Sequence, residues 1–247
     1  MRFVGVDLAT EPEACGVCAL EENAVAYVGH GNASHEHPDW LLEHCSGSDA
    51  VGVDVPFGWP APFVEALRGH EIGVAFGRDR RRYRLRTTDV WVADALPKRL
   101  ARDRRRPTPF SVSTDKLGAT AMVGTVLLSS LSESFRLSPR QSGVPRAVLE
   151  VYPAASLWAW GLRHRNTDVT AALGVLREAF RLEVREDDRE RLLGSRHCFD
   201  ALITALTARE YGDGNTFDPP GEVSDGTLRE EGWIRVPNRL LDGAHRT

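Results

Sequence analysis

Two copies of one tetrapeptide, Val4-Gly5-Val6-Asp7 and Val51-Gly52-Val53-Asp54, set the terms on which this chain can fold. Each is a short apolar, β-prone run that ends on a carboxylate, followed by Leu8-Ala9 in the first copy and Val55-Pro56 in the second. A buried strand delivers one acid to its C-terminal rim in this way. Two such strands side by side would hold two carboxylates at one spot. Like charges that close are costly unless one is protonated or a cation lies between them. The expectation is a metal site built on a sheet.

The flanking sequence supplies a topology for that site. Residues 2–9, 14–20 and 24–29 read as strands joined by short turns, which requires antiparallel neighbours. A helix over 38–45 then carries the chain back to a fourth strand at 50–55. Because it is reached through a crossover, this strand lies parallel to the first and brings Asp54 to the rim of Asp7. A fifth strand at 147–153 carries Glu150 within an apolar run, and the tail offers a last one at 231–237. Helices are expected at 60–70, 90–104 (apart from Pro97), 115–131, 154–162, 168–182 with Asp168 as its cap, and 196–211. The fold class is therefore α/β: a mixed five-stranded sheet flanked by helices, in one domain over 1–247, with a helical insertion at about 56–146.

Two further acids join the pair. Glu150, between Leu149 and Val151, is expected to be shielded from water and so to need a partner, either a metal ion or an arginine. On the helix from Arg196, the polar residues His197, Asp200, Thr204 and Thr207 fall at helical spacing on one stripe. The stripe faces either a polar site or a hydrogen-bonded core. Asp7, Asp54, Glu150 and Asp200 offer hard oxygen ligands that suit Mg²⁺ or Mn²⁺. His197 stands one turn before Asp200 and is placed to assist proton transfer, with a first-turn backbone hydrogen bond as the alternative.

The net charge of −4 hides an asymmetry. From Arg78 to Arg106 there are eleven arginines and Lys98 against four aspartates, a local balance of +8 that leaves −12 elsewhere. Such a segment suits contact with DNA or RNA, though solvated helix faces have the same composition. Within it, Arg82, Arg84, Arg86 and Asp89 are read as substrate-binding, with Arg86 holding a phosphate. For Arg86 and Asp89 the competing reading is a structural salt bridge. Phe57, Trp59 and Phe63 follow the second acid and could stack on a base or simply fill the core. His30, His35, His37 and His44 lack the spacing of a zinc site.

Composition narrows the class. At 42% hydrophobic and 27% charged residues, the 247-residue chain reads as a soluble globular protein. No run approaches the roughly 18 apolar residues of a membrane span, and the N-terminus reads as a strand, not a leader. Cys15 and Cys18 have Cys-x-x-Cys spacing inside a strand, so they point to opposite faces. With Cys45 and Cys198 they are expected to be reduced core thiols in a cytoplasm.

Gly5-Val6-Asp7-Leu8-Ala9, Val53-Asp54-Val55-Pro56-Phe57-Gly58, Arg86-Thr87-Thr88-Asp89, Glu150-Val151-Tyr152-Pro153, His197-Cys198-Phe199-Asp200-Ala201-Leu202 and Glu231-Gly232-Trp233-Ile234 together resemble the DUF429 family. That family is described as predicted nucleases with a ribonuclease H-like fold. The resemblance implies a metal-dependent phosphodiesterase in which a first-strand acid works with acids of the fourth strand, a later strand or the last helix. Asp7, Asp54, Glu150 and Asp200 occupy those places. Two rivals stand beside this reading. One is an idle nucleic-acid or protein binding module. The other is an actin-like phosphotransferase, faintly suggested by Asp7-Leu8-Ala9-Thr10, which would need a second copy of the sheet unit.

Overall fold

The computed structural model describes residues 1–31, 39–101, 106–113, 115–163 and 167–241. Seven strands form one mixed sheet: β1 Arg2–Asp7, β2 Gly16–Glu21, β3 Ala24–His30, β4 Ala50–Asp54, β5 Arg136–Leu137, β6 Ala147–Val151 and β7 Ile234–Arg235. The helices are α1 Asp39–Cys45, α2 Ala61–Arg68, α3 Arg80–Arg84, α4 Thr87–Val90, α5 Leu96–Arg99, α6 Asp115–Ser132, α7 Pro153–Trp160, α8 Val169–Phe180, α9 Glu186–Gly194, α10 Arg196–Gly212 and α11 Asp225–Glu231.

The spatial order is β3-β2-β1-β4-β6, with β1–β2 and β2–β3 antiparallel and β1–β4 and β4–β6 parallel. The opening meander and the parallel return of the fourth strand are both as expected. The strand count is not five. β5 and β7 are two residues each and lie along the same edge of β6, β5 at Ala147–Val148 and β7 at Glu150–Val151. Two short pieces thus share the work of one edge strand, and neither is long enough to show a period of two.

Alternation of side chains explains the repeated tetrapeptide. Val4, Val6, Val51 and Val53 point to one face and pack with Leu41 of α1 and Leu127, Leu128 and Leu131 of α6. Phe3 and Ala50 lie on the other face, in the core built with α7, α8 and α10. Gly5 with Asp7, and Gly52 with Asp54, share that second face because they sit two residues apart. A Cβ on Gly5 would stand 2.1 Å from the Ala201 carbonyl oxygen and 2.2 Å from the Ala205 nitrogen. On Gly52 it would stand 2.7 Å from the Thr204 oxygen. The backbone of α10 therefore rests directly on the sheet at the glycines, and its first turn reaches the acids one step further along. The two cysteines behave as the parity predicts: Cys15 is buried in the α6 face and Cys18 in the α10 face, and both are free.

Between β4 and β6 the chain builds a third apolar cluster, in which Trp91, Val92 and Leu96 meet Trp158, Trp233 and Ile234. The helix expected at 90–104 is broken: α4 passes into a π-helical turn over Trp91–Ala95 and then α5, with Pro97 near its start. Residues 102–104 of that expectation lie outside the described residues, as do His35, His37 and Pro38. Three helices were not anticipated, α3, α9 and α11, all rich in charge. In α9 the organising contact is Asp188, fully buried between Arg185 (2.7 Å) and Arg191 (3.1 Å). Among the described residues no helix is long and apolar enough to cross a membrane.

The glycine contact yields a paired test. Gly5→Val forces a side chain into the backbone of α10 and is expected to cost about 3 kcal/mol or more. Gly174→Ala, in the interior of α8 with nothing within 4 Å of the new Cβ, is expected to stabilise by roughly 0.5–1 kcal/mol. Urea midpoints of the two variants against wild type provide the check.

Candidate functional site

Asp7 and Asp54 are register partners at the ends of β1 and β4, so their Cα atoms stand about 4.8 Å apart across the ladder. Both are pushed upward. Burial raises the Asp54 carboxyl well above the ordinary range, and the charges of Asp7, Asp200 and Glu150 act in the same direction. Burial also raises Asp7, against the hydrogen bond and charge of His197 and the charge of Arg196.

Helix α10 brings two more groups. Ser195 caps its N-terminus, and His197 in the first turn places Nδ1 2.8 Å from Asp7 Oδ2. An ionised carboxylate can only accept, so against ionised Asp7 it is Nδ1 that donates, and in the neutral ring Nε2 then carries the lone pair. That hydrogen bond raises the His197 pKa. One turn on, Asp200 accepts from Arg196 Nε at 2.7 Å through Oδ2, while its Oδ1 is buried with no hydrogen-bond partner. Burial outweighs Arg196 and lifts Asp200 to about 6. The expected polar stripe is split in function. Its first two members reach the acids, whereas Thr204 and Thr207 are wholly buried and bonded within the core, to the Asp200 carbonyl and to Ser156 Oγ. Arg196 was missed, although its i,i+4 spacing to Asp200 is the signal of a helical ion pair.

Glu150 stands differently from the other acids. Its register partner is Val53, not Asp54, so its side chain leaves the sheet on the α6 face. There it meets Arg86, and the pair is almost completely buried. Arg86 has five N–H donors, and all five are taken. Nε and Nη2 reach Asp89 at 3.1 and 2.9 Å, Nη1 and Nη2 reach Glu150 at 2.8 and 2.6 Å, and Nη1 also reaches the Glu231 carbonyl at 2.9 Å. Burial works to lower the Arg86 pKa, but Glu150 and Asp89 overcome it and hold the guanidinium charged. Burial likewise pushes Glu150 up and Arg86 opposes it. With Arg86 and the Phe57 N–H (3.1 Å) on its oxygens, the geometry fits the carboxylate.

This network realises the salt-bridge reading of Arg86 and Asp89: every donor of Arg86 already has a protein acceptor, which leaves none for a phosphate. Glu150 borders the same cavity as Asp7 and Asp54, but it does so as half of a buried ion pair and from the other face of the sheet. The residue the sequence reading passed over is Glu231. It is buried, and its carboxylate accepts from Ala61 N (2.9 Å) and Thr87 N (2.7 Å), closing the starts of α2 and α4 together. Gly232 follows at φ +76°, where a Cβ would stand 2.7 Å from Phe57 Cβ and 2.8 Å from Glu150 Oε2.

Over the rim lies a cavity of about 280 Å³, lined by Asp7, Asp54 and Glu150 on the sheet, Thr120 on α6, and Phe110 and Tyr152 opposite. A neighbouring cavity of about 650 Å³ is lined by Arg81 and Arg84 and shares Pro109, Phe110 and Tyr152 with the first. The basic segment is thus only partly engaged. Arg81 pairs with Asp94 at 2.5 Å, and Arg82 lies over the Tyr83 ring at 5.4 Å. Arg84 is exposed and makes no ion pair among the described residues. Arg102, Arg104 and Arg105 lie outside them. Of the aromatics after Asp54, Phe57 packs on the α6-side core and Phe63 meets Phe76 edge-on. His44 stacks on Tyr27.

A family model described as "Protein of unknown function (DUF429)" matches residues 5–224. The chain belongs to the DUF429 family. No curated protein and no solved structure is similar to it by the same kind of comparison. The family span begins at Gly5, takes in Asp7, the second Val-Gly-Val-Asp strand, Arg86, Glu150 and the first turn of α10, and stops short of Glu231.

Whether a divalent ion fits this DUF429 site can be judged from its donors. Among the described residues no group of three or more His, Cys, Asp or Glu side chains stands as a ready-made ligand set. Mg²⁺ does not require one, since it keeps several waters and is held through one or two carboxylates plus substrate oxygens. Asp7 and Asp54 on one rim, with the partnerless Asp200 Oδ1 behind them, fit that description.

Two measurements follow. Arg86→Met leaves Glu150 and Asp89 buried without their cation, and a loss of about 3–5 kcal/mol is expected in urea unfolding. Asp54→Asn removes a crowded charge, so the metal-free variant is expected to melt about 2–4 °C above metal-free wild type, the shift that about 1 kcal/mol produces in a chain of this size.

Proposed function

We propose that this protein is a divalent-metal-dependent hydrolase of phosphodiester bonds in nucleic acid, built on a ribonuclease H-like fold. The observation that carries the reading is the convergence of Asp7 and Asp54 on one rim as register partners, with no ion pair to Asp54 among the described residues. The strand order, the parallel β1–β4 pair and the α10 acid are consistent with the fold named. A protein that keeps two desolvated carboxylates so close bears a stability cost that a bound cation would relieve.

Asp7 through its free Oδ1, together with Asp54, would hold Mg²⁺ or Mn²⁺, and Asp200 would support the site from α10. An ion held there supplies Lewis-acid polarisation of the phosphoryl oxygens and lowers the pKa of a coordinated water. His197, oriented by Asp7 at Nδ1, accepts the proton of the attacking water at Nε2. The water oxygen forms a bond to phosphorus, the bond from phosphorus to the leaving ribose oxygen breaks, and that oxygen takes up a proton from solvent. Arg84 and its neighbours hold flanking phosphates.

A catalytically idle binding module is the second reading. It is favoured by the pairing of Glu150 with Arg86 and of Asp200 with Arg196. The two separate on one variant. Asp7→Asn is expected to lose Mn²⁺ binding in a calorimetric titration and to abolish cleavage of nucleic acid, with its circular dichroism unchanged. Cleavage at the wild-type rate by Asp7→Asn would sink the hydrolase reading. Failure of wild type to bind millimolar Mn²⁺ would favour the binding module.

A further inference from the structure

The two cavities are adjacent and share Pro109, Phe110 and Tyr152 in their linings, with the acid rim on one side of these residues and Arg84 on the other. The distribution of charge across them is directional. At one end are Asp7 and Asp54, which repel a phosphate unless a cation intervenes. At the other is Arg84, exposed and without an ion pair among the described residues, beside Arg81, whose charge Asp94 partly offsets. Phe110 between them is 56% exposed and lines both cavities.

We infer that the two cavities together form a groove that takes single-stranded nucleic acid, with one unstacked base in the larger cavity against Phe110 and Tyr152, a phosphate at Arg84 and the adjoining phosphate at the acid rim. The inference rests on the hydrolase reading for which phosphate is cut. A duplex presents its phosphates outward and keeps its bases stacked, so it gains nothing from a recess of about 650 Å³ floored by aromatic rings. A single strand gains stacking on the ring and a charge contact in the same step, independently of base identity. The recess also lies within the roughly 300–1,000 Å³ of small-ligand cavities, room enough for a base.

The test is fluorescence anisotropy of a short labelled DNA single strand and of its blunt duplex with the full chain, in Ca²⁺ as a hard cation for the acid rim, with the strand confirmed whole on a denaturing gel after each titration. The single strand is expected to bind on the order of tenfold more tightly than the duplex. Phe110→Ala, an exposed position whose loss leaves the core intact, is expected to weaken single-strand binding about five- to a hundred-fold, and Phe110→Tyr to retain it. Arg84→Ala is expected to lower the salt dependence by about one contact, a change in slope of roughly 0.7. Equal affinity for duplex, or Phe110→Ala binding as wild type does, overturns the inference. Phe110-dependent binding with no cleavage in Mn²⁺ supports the groove and removes the hydrolase reading. Cleavage in Mn²⁺ that Phe110→Ala leaves unchanged keeps the hydrolase and overturns the groove.

Discussion

Everything at the rim depends on the glycines of β1 and β4, where the backbone of α10 rests on the sheet with no side chain between. Gly5 and Gly52 are register partners, and the helix backbone lies on them at distances no Cβ could share. Since Asp7 and Asp54 follow two residues later on the same face, the contact that seats the helix also decides where its first turn ends. His197 and Asp200 arrive at the acids because the helix axis can come no closer and need not stand further away. The repeat therefore encodes two things at once, valines for one core and a glycine followed by an acid for the other face.

A second constraint closes the site from the opposite side. Arg86 sits where the start of α4, the end of β6 and the turn after α11 converge, and it satisfies an acceptor from each. Glu231 performs the complementary service, one carboxylate for two helix starts. Together they tie residues far apart in sequence into one buried polar unit. Such units are expensive when any member is missing, because the remaining charges stay buried without a partner. This network and the contact of Trp91 with Trp233 hold the insertion to the sheet.

What was legible in the sequence follows the same division. The Val-Gly-Val-Asp strands, their parallel pairing and the α10 stripe could be read because each is a local pattern with a definite period. Glu150 could be found but not aimed. Ala147-Val148-Leu149-Glu150-Val151 is apolar on both sides, so its parity relative to β4 is set by register alone, and register became visible only in three dimensions. Arg86 was legible as a cation and Asp89 as its neighbour. That all five donors are consumed depends on Glu150 and on the Glu231 carbonyl, which no spacing links to it. Glu231 itself was read as part of a strand, whereas it ends α11 and turns at Gly232. The helices that went unread, α3, α9 and α11, are short and charged, held by tertiary contacts rather than by an apolar stripe.

The electrostatics of the rim separate a structural cluster from a site that needs something more. Among the described residues Arg196 is paired with Asp200, His197 with Asp7 and Arg86 with Glu150. Asp54 has no ion pair of its own among them, and only the charge of Arg196 opposes its rise. Burial raises its carboxyl well above the ordinary range, and the charges of Asp7, Asp200 and Glu150 add to the effect. Around Arg86 the same chain balances buried charge closely, two carboxylates against one guanidinium with every donor used. A sequence able to do that on one side of β6 could have done it beside Asp54. Asp54 lines the cavity that Phe110 also borders, so on the hydrolase reading proposed above a cation would reach it from that side.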